Sequence, residues 1–87
     1  MLWYSVAYYL PNPPETMVMA KVLDFPGALS QGFDLWDARR VIASALEDLA
    51  QVQLEEGRAL PLPDPQAEDD AADLIERMPL SIVVKQS

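Results

Sequence analysis

The sequence contains no cysteine and no histidine. Without cysteine there is no disulfide framework and no thiolate metal site. Without histidine the commonest general base, zinc ligand and proton shuttle are missing, so catalysis would have to run on carboxylates alone. Glycine is scarce, at three residues. Positive charge is scarce too: Lys21, Arg39, Arg40, Arg58, Arg77 and Lys85 stand against 14 acids, for a net charge of -8. The six cations are scattered, and no basic stripe exists to neutralise a phosphate backbone, which argues against direct nucleic-acid binding. An acidic domain can steer a basic protein towards itself. Negative charge also serves solubility, and charge taken alone favours that simpler role.

Hydrophobic residues make up 51% of the 87 residues, enough for one small core, and residues 1–87 read as a single domain. The opening run, "MLWYSVAYYL", has no basic flank and no small-residue cleavage site, and it is too short to span a bilayer. A soluble, cytoplasmic protein is expected, with no membrane partner.

Residues 2–10 alternate as a strand. Leu2, Tyr4, Val6, Tyr8 and Leu10 fall on one face, and Trp3, Ser5, Ala7 and Tyr9 on the other. Both faces are largely apolar, which suits a central strand. "PNPPE" at 11–15 ends it, because proline lacks the amide donor that a ladder needs. A second strand is expected over 16–25. Its small face, Val18, Ala20 and Val22, suits a helix lying across it. Its opposite face carries Met17, Met19, Lys21, Leu23 and Phe25. Pro26-Gly27 is a turn signal, and a short strand over 28–31 follows.

A long amphipathic helix is expected from the N-cap Asp34 to about Glu56, stopped by Gly57. Asp37 completes a capping box with Asp in place of Glu. At about 100° per residue, Leu35, Ala38, Ile42, Ala45, Leu46, Leu49 and Val52 gather on one arc. Trp36 lies on the flank, as an edge packing residue or a partner anchor. Residues 66–78 read as a short acidic helix and 80–85 as a last strand. The expected fold is a two-layer α+β domain, β-β-β-α-(short α)-β, with sheet order 3-2-1-4 and one long helix on one face. Nothing in the chain is expected to cover the other face.

Tests for chemistry fail one by one. Gly27 and Gly32 have the spacing of a phosphate loop, but Phe33 and Asp34 stand where Lys and Ser or Thr should follow. Ser30 lacks both a nucleophile elbow, which needs glycine two residues before it, and a histidine partner. Asp64, Glu68, Asp69, Asp70, Asp73 and Glu76 form the densest acidic run, without the glycine and alternation of a calcium loop. No catalytic residue, cofactor or metal site is expected.

Three segments in register resemble the HicB family of antitoxins. "DFPGALSQG" at 24–32 is close to that family's Asp-Leu-Pro-Gly followed by a short strand ending in Gln-Gly. Asp34-Leu35 with Ala38, Ile42, Ala45 and Leu46 is similar to its helix. "LEEGRALPLPDP" at 54–65 is similar to its Glu-Glu-Gly and proline-punctuated exit. The resemblance implies a partial ribonuclease-H-like domain without nuclease acids. It also implies a partner, HicA, a small basic toxin that cleaves mRNA, and a homo-oligomer, dimer or tetramer. Many members carry a C-terminal DNA-binding module; here a stand-alone domain without one is expected. The function expected is antitoxin of a type II toxin-antitoxin system. An orphan oligomeric regulator or scaffold of the same fold is the alternative, and a divalent-metal nuclease remnant using Asp24 the less favoured one. The expected partner or oligomer interface is Met17, Met19, Lys21, Leu23, Asp24, Phe25 and Trp36.

Overall fold

The structure, a computed structural model, describes residues 1–81. It contains β1 (Trp3–Tyr9), β2 (Val18–Val22), β3 (Leu29–Gly32), α1 (Leu35–Glu55) and β4 (Leu74–Pro79). The strands form one antiparallel sheet in the order β3-β2-β1-β4, and α1 lies across one face. This is the expected two-layer α+β arrangement with the expected strand order.

The central place of β1 follows from its composition. It pairs with β2 on one side and β4 on the other. Tyr4, Val6 and Tyr8 point to the helix and are fully buried. Val18, Ala20 and Val22 of β2 join them, and their small size lets the helix settle close.

Helix α1 is closed at both ends by its own residues. The Asp34 carboxylate accepts the Asp37 N–H at 2.7 Å, and the Asp37 carboxylate reaches back to the Phe33 N–H at 3.0 Å. That bond, with Arg40 at 2.7 Å, holds the Asp37 carboxyl below the usual carboxylate range. At the other end Gly57 sits at φ 75°, where glycine carries no steric penalty. Its N–H donates to Leu54 O, and the Arg58 N–H donates to Gln53 O. This double closure is a Schellman motif.

The buried stripe of α1 is Ala38, Ile42, Leu46 and Ala50. Leu35 and Leu49 pack partly against it. Val52, expected on this arc, is 46% exposed, and Ala50 takes the last core position instead. Steps of four residues drift by about 40° each, so the contact line slants around the helix rather than following a fixed arc.

The second half of the chain departs from expectation. Residues 66–78 do not form a helix: turns occupy the first part, and the second becomes β4. The alternation along Leu74, Glu76 and Met78 against Ile75, Arg77 and Pro79 satisfies β1 by cross-strand pairing, which an isolated short helix could not match. The expected strand at 80–85 falls largely outside the described residues. Leu80 is buried, and its N–H donates to Leu2 O.

Candidate partner-binding surface

The face of the sheet away from α1 is built by alternate residues of four strands. Across it run Ile75, Ala7, Lys21 and Leu29 in one row, and Tyr9, Met19 and Gln31 in the next. Met17, Met19 and Leu23 are half-buried, and Lys21 is exposed.

Phe25 does not belong to this face. It was expected there by simple alternation from Val18. Strand β2 ends at Val22, a turn intervenes, and the Phe25 ring swings inward. It is fully buried and meets the Tyr4 ring edge-on, with centroids 5.4 Å apart. The turn is held by Val22 N–H to Ala28 O and Ala28 N–H to Phe25 O, with Gly27 at φ 90°.

Asp24 is occupied by the fold. Its Oδ1 accepts the Ser5 N–H at 2.9 Å and its Oδ2 accepts the Asp64 N–H at 2.8 Å. The carboxylate fills the gap in the ladder where β2 leaves β1, and ties the connector after α1 to the same point. Both oxygens therefore already serve backbone amides. Among the described residues no three acids converge as a metal ion would require.

The outer face is also partly covered, against expectation. After α1 the chain returns on the helix side, where Leu60 touches the core and the Tyr4 hydroxyl donates to Pro61 O at 2.7 Å. It passes the Asp24 clasp and emerges on the outer face. There Ala67, Glu68, Asp69 and Asp70 line an open groove with Lys21 and Leu23. The Tyr9 hydroxyl donates to Asp69 at 2.6 Å, and the Asp73 carboxylate accepts the Leu10 N–H at 2.7 Å. Ser5 and Ala7 point to this face and are nonetheless buried, at 3% and 0% exposure. Their small side chains leave room for the strap. The acidic run that looked like a solvated helix is thus a strap pinned by its carboxylates.

The Tyr9–Asp69 pin has a defined pH window. Burial first, then the Asp69 bond and charge, push the Tyr9 hydroxyl up to about 12. The Tyr9 hydrogen bond, then the Ala71 N–H, hold Asp69 below its ordinary 3.8. A depressed acid stabilises the fold above its unfolded value and loses that contribution as pH falls through the folded value. A raised tyrosine contributes below pH 10 and loses that contribution as pH rises towards 12. Tyr9→Phe is therefore expected to lower Tm by a few degrees at pH 7. The gap to wild type should narrow as pH falls through the lowered titration range of Asp69, because protonation removes the carboxylate that the Tyr9 hydroxyl binds. Thermal melts across pH 2.5–8 check this, and a gap that does not narrow at acid pH would show that the pin carries no stability.

With the strap in place, five of the exposed large apolar side chains lie at two places around the sheet. Trp3 and Ile75 are 45% and 39% exposed on the β1–β4 side. Leu29, Phe33 and Trp36 are 57%, 81% and 78% exposed at β3 and the start of α1. Of these only Trp36 was singled out from sequence. Phe33 had a readable signal. It occupies the position before the N-cap, where a large residue normally packs on the fourth helical residue. That residue is Ala38, buried and too small to hold it. Beside β3, Glu15, Thr16, Met17, Met19 and Gln31 line an open groove of about 430 Å³.

This surface defines an acidic α+β domain with exposed apolar side chains at its rim and, among the described residues, no group of three or more acids placed to hold a metal ion. No protein-family model matches the chain, and no curated protein matches it in sequence. No helix among the described residues is long and apolar enough to cross a membrane.

Proposed function

We propose that the protein is a HicB-like antitoxin domain of partial ribonuclease-H-like fold. It acts in the cytoplasm by binding a small, basic, HicA-like mRNA-cleaving toxin and covering its active site. The observation that carries this reading is the pairing of a net charge of -8 with large apolar side chains left exposed around the outer sheet face. Tight protein interfaces combine a buried apolar centre with a charged rim. Acidic charge adds fast, selective encounter with a basic partner. The resemblance of residues 24–32, 34–46 and 54–65 to the family supplies the partner class. Self-association of the chain alone, as dimer or tetramer, belongs to the same proposal.

Co-expression tests it. A small basic protein encoded beside this one should arrest growth when expressed alone, and co-expression of this chain should restore growth. Failure of rescue, with both proteins present and soluble, would leave the oligomeric regulator as the better reading. Met19→Asp probes the surface. Met19 lies on the outer face opposite Tyr9 and Gln31 and is half-buried. The change should leave Tm within about 4 °C, roughly the shift from 1 kcal/mol in a domain of this size, and weaken the complex by at least about tenfold. Gel filtration and titration calorimetry read both. Loss of folding would place Met19 in the core instead.

A further inference from the structure

The register of β3 settles which of its main-chain groups face away from the sheet. The Val22 N–H donates to Ala28 O, and hydrogen-bonded pairs in an antiparallel ladder recur every second residue. The bonded pairs with β2 are therefore Ala20–Ser30 and Val18–Gly32. The N–H and C=O of Leu29 and Gln31 point the other way. No described strand lies on that side, because β3 is last in the sheet order. Natural sheet edges are usually blunted by charge, proline or a covering segment. Here the strand itself, Leu-Ser-Gln-Gly, carries neither charge nor proline. The strap covers β1 and β2 instead. Two large aromatics, Phe33 and Trp36, stand exposed beside this edge.

We propose that the open edge of β3 receives an extended, basic segment of another protein, which adds to the sheet beyond β3 and is anchored by Phe33 and Trp36. Strand addition draws affinity from main-chain hydrogen bonds and selectivity from side chains alongside. Charge decides between occupants. Glu15 and Asp34 are exposed around the edge, and the exposed cation Lys21, across from Leu29 on β2, stands beside Asp69 of the strap. The nearby cation Arg40 is already paired with Asp37 at 2.7 Å. A second copy would bring another net charge of -8 to an acidic corner, whereas a basic strand is attracted to it. This inference rests on the binding reading above and names the mode of docking.

The test uses a fluorescein-labelled peptide of alternating arginine and valine, read by anisotropy with the full chain. Saturable binding is expected, and the same peptide with glutamate for arginine should not bind. Gln31→Pro removes one outward N–H and leaves the β2 ladder intact, since proline is tolerated where its nitrogen faces away from the sheet. It should weaken the arginine peptide by about tenfold or more, with Tm within about 4 °C of wild type. The double variant Phe33→Ala/Trp36→Ala should weaken it similarly, and it decides the matter if Gln31→Pro does not fold. Equal affinity for wild type and these variants, or no saturable binding, overturns the proposal. So does light scattering in which Gln31→Pro lowers the oligomer mass, because the edge would then hold a second copy. Growth rescue by the Gln31→Pro variant would also sink the docking mode while leaving the antitoxin reading standing. Peptide binding at β3 without any growth rescue would do the reverse.

Discussion

Phe25→Ala is expected to destabilise the protein by about 4 kcal/mol, the middle of the range for removing a buried aromatic ring. Phe25 is fully buried, edge-on to Tyr4, in a core shared with Val22, Ala28 and Leu46. A domain of this length has a total stability of about 4–13 kcal/mol. The variant should therefore lose between about a third and all of that stability. Urea denaturation followed by circular dichroism reads the loss directly. A midpoint within error of wild type would mean that the ring is not in the core, and that the outward placement suggested by strand alternation was right after all.

Gly32→Ala carries the second large effect, for a different reason. A Cβ on Gly32 would collide with Ala38 N and lie 2.7 Å from Ala38 Cα and 2.8 Å from Asp37 C. These are backbone atoms of the first turns of α1, which cannot swing aside as a side chain can. Relief requires the helix to lift from β3, and overpacking of this kind costs about 3 kcal/mol. A Tm lowered by about 12–24 °C is expected. The cost would fall on the helix–sheet distance, so Ala38→Gly in the same chain should not restore it, because the clash is with main chain. A Tm change under about 4 °C would show that α1 stands further from the sheet than described.

Gly32 also shows how far the sequence could be read. Gly27 and Gly32 match a phosphate loop by spacing alone, a reading that Phe33 and Asp34 exclude. The loop is a joint, and Gly32 is required by close approach of two backbones, a tertiary fact with no local signature. The helix was legible because it is long, periodic and capped by Asp34 and Asp37. Its last core position was misplaced, from Ala50 to Val52, because a slanting line of contact is not a fixed arc. The sheet order was legible from the apolar character of both faces of β1. The stretch over 66–78 was misread because its alanines and acids favour a helix locally, while the open side of β1 demanded a strand. Tertiary pairing overrode propensity there.

The interface was legible only in part. Met17, Met19, Lys21 and Leu23 lie on the face away from the helix, as their alternation implied. Asp24 and Phe25 follow the end of β2, where alternation stops informing. One is a backbone clasp between Ser5 and Asp64, the other a core ring. The strap was not legible at all. Its pins, Tyr9 with Asp69 and Leu10 with Asp73, join residues some sixty positions apart. What the strap leaves uncovered moves the apolar surface towards β3 and the start of α1.

The proposed role of this acidic domain is to bind a basic partner. The most direct test is titration calorimetry of the purified chain with a small basic protein of the proposed HicA-like class. A saturating complex with a Kd below about 1 μM is expected, the affinity of a specific interface with an apolar centre. The affinity should fall as salt rises from about 0.1 to 0.5 M, because screening weakens the attraction between opposite charges. No saturable binding by the folded chain at either salt concentration would contradict it.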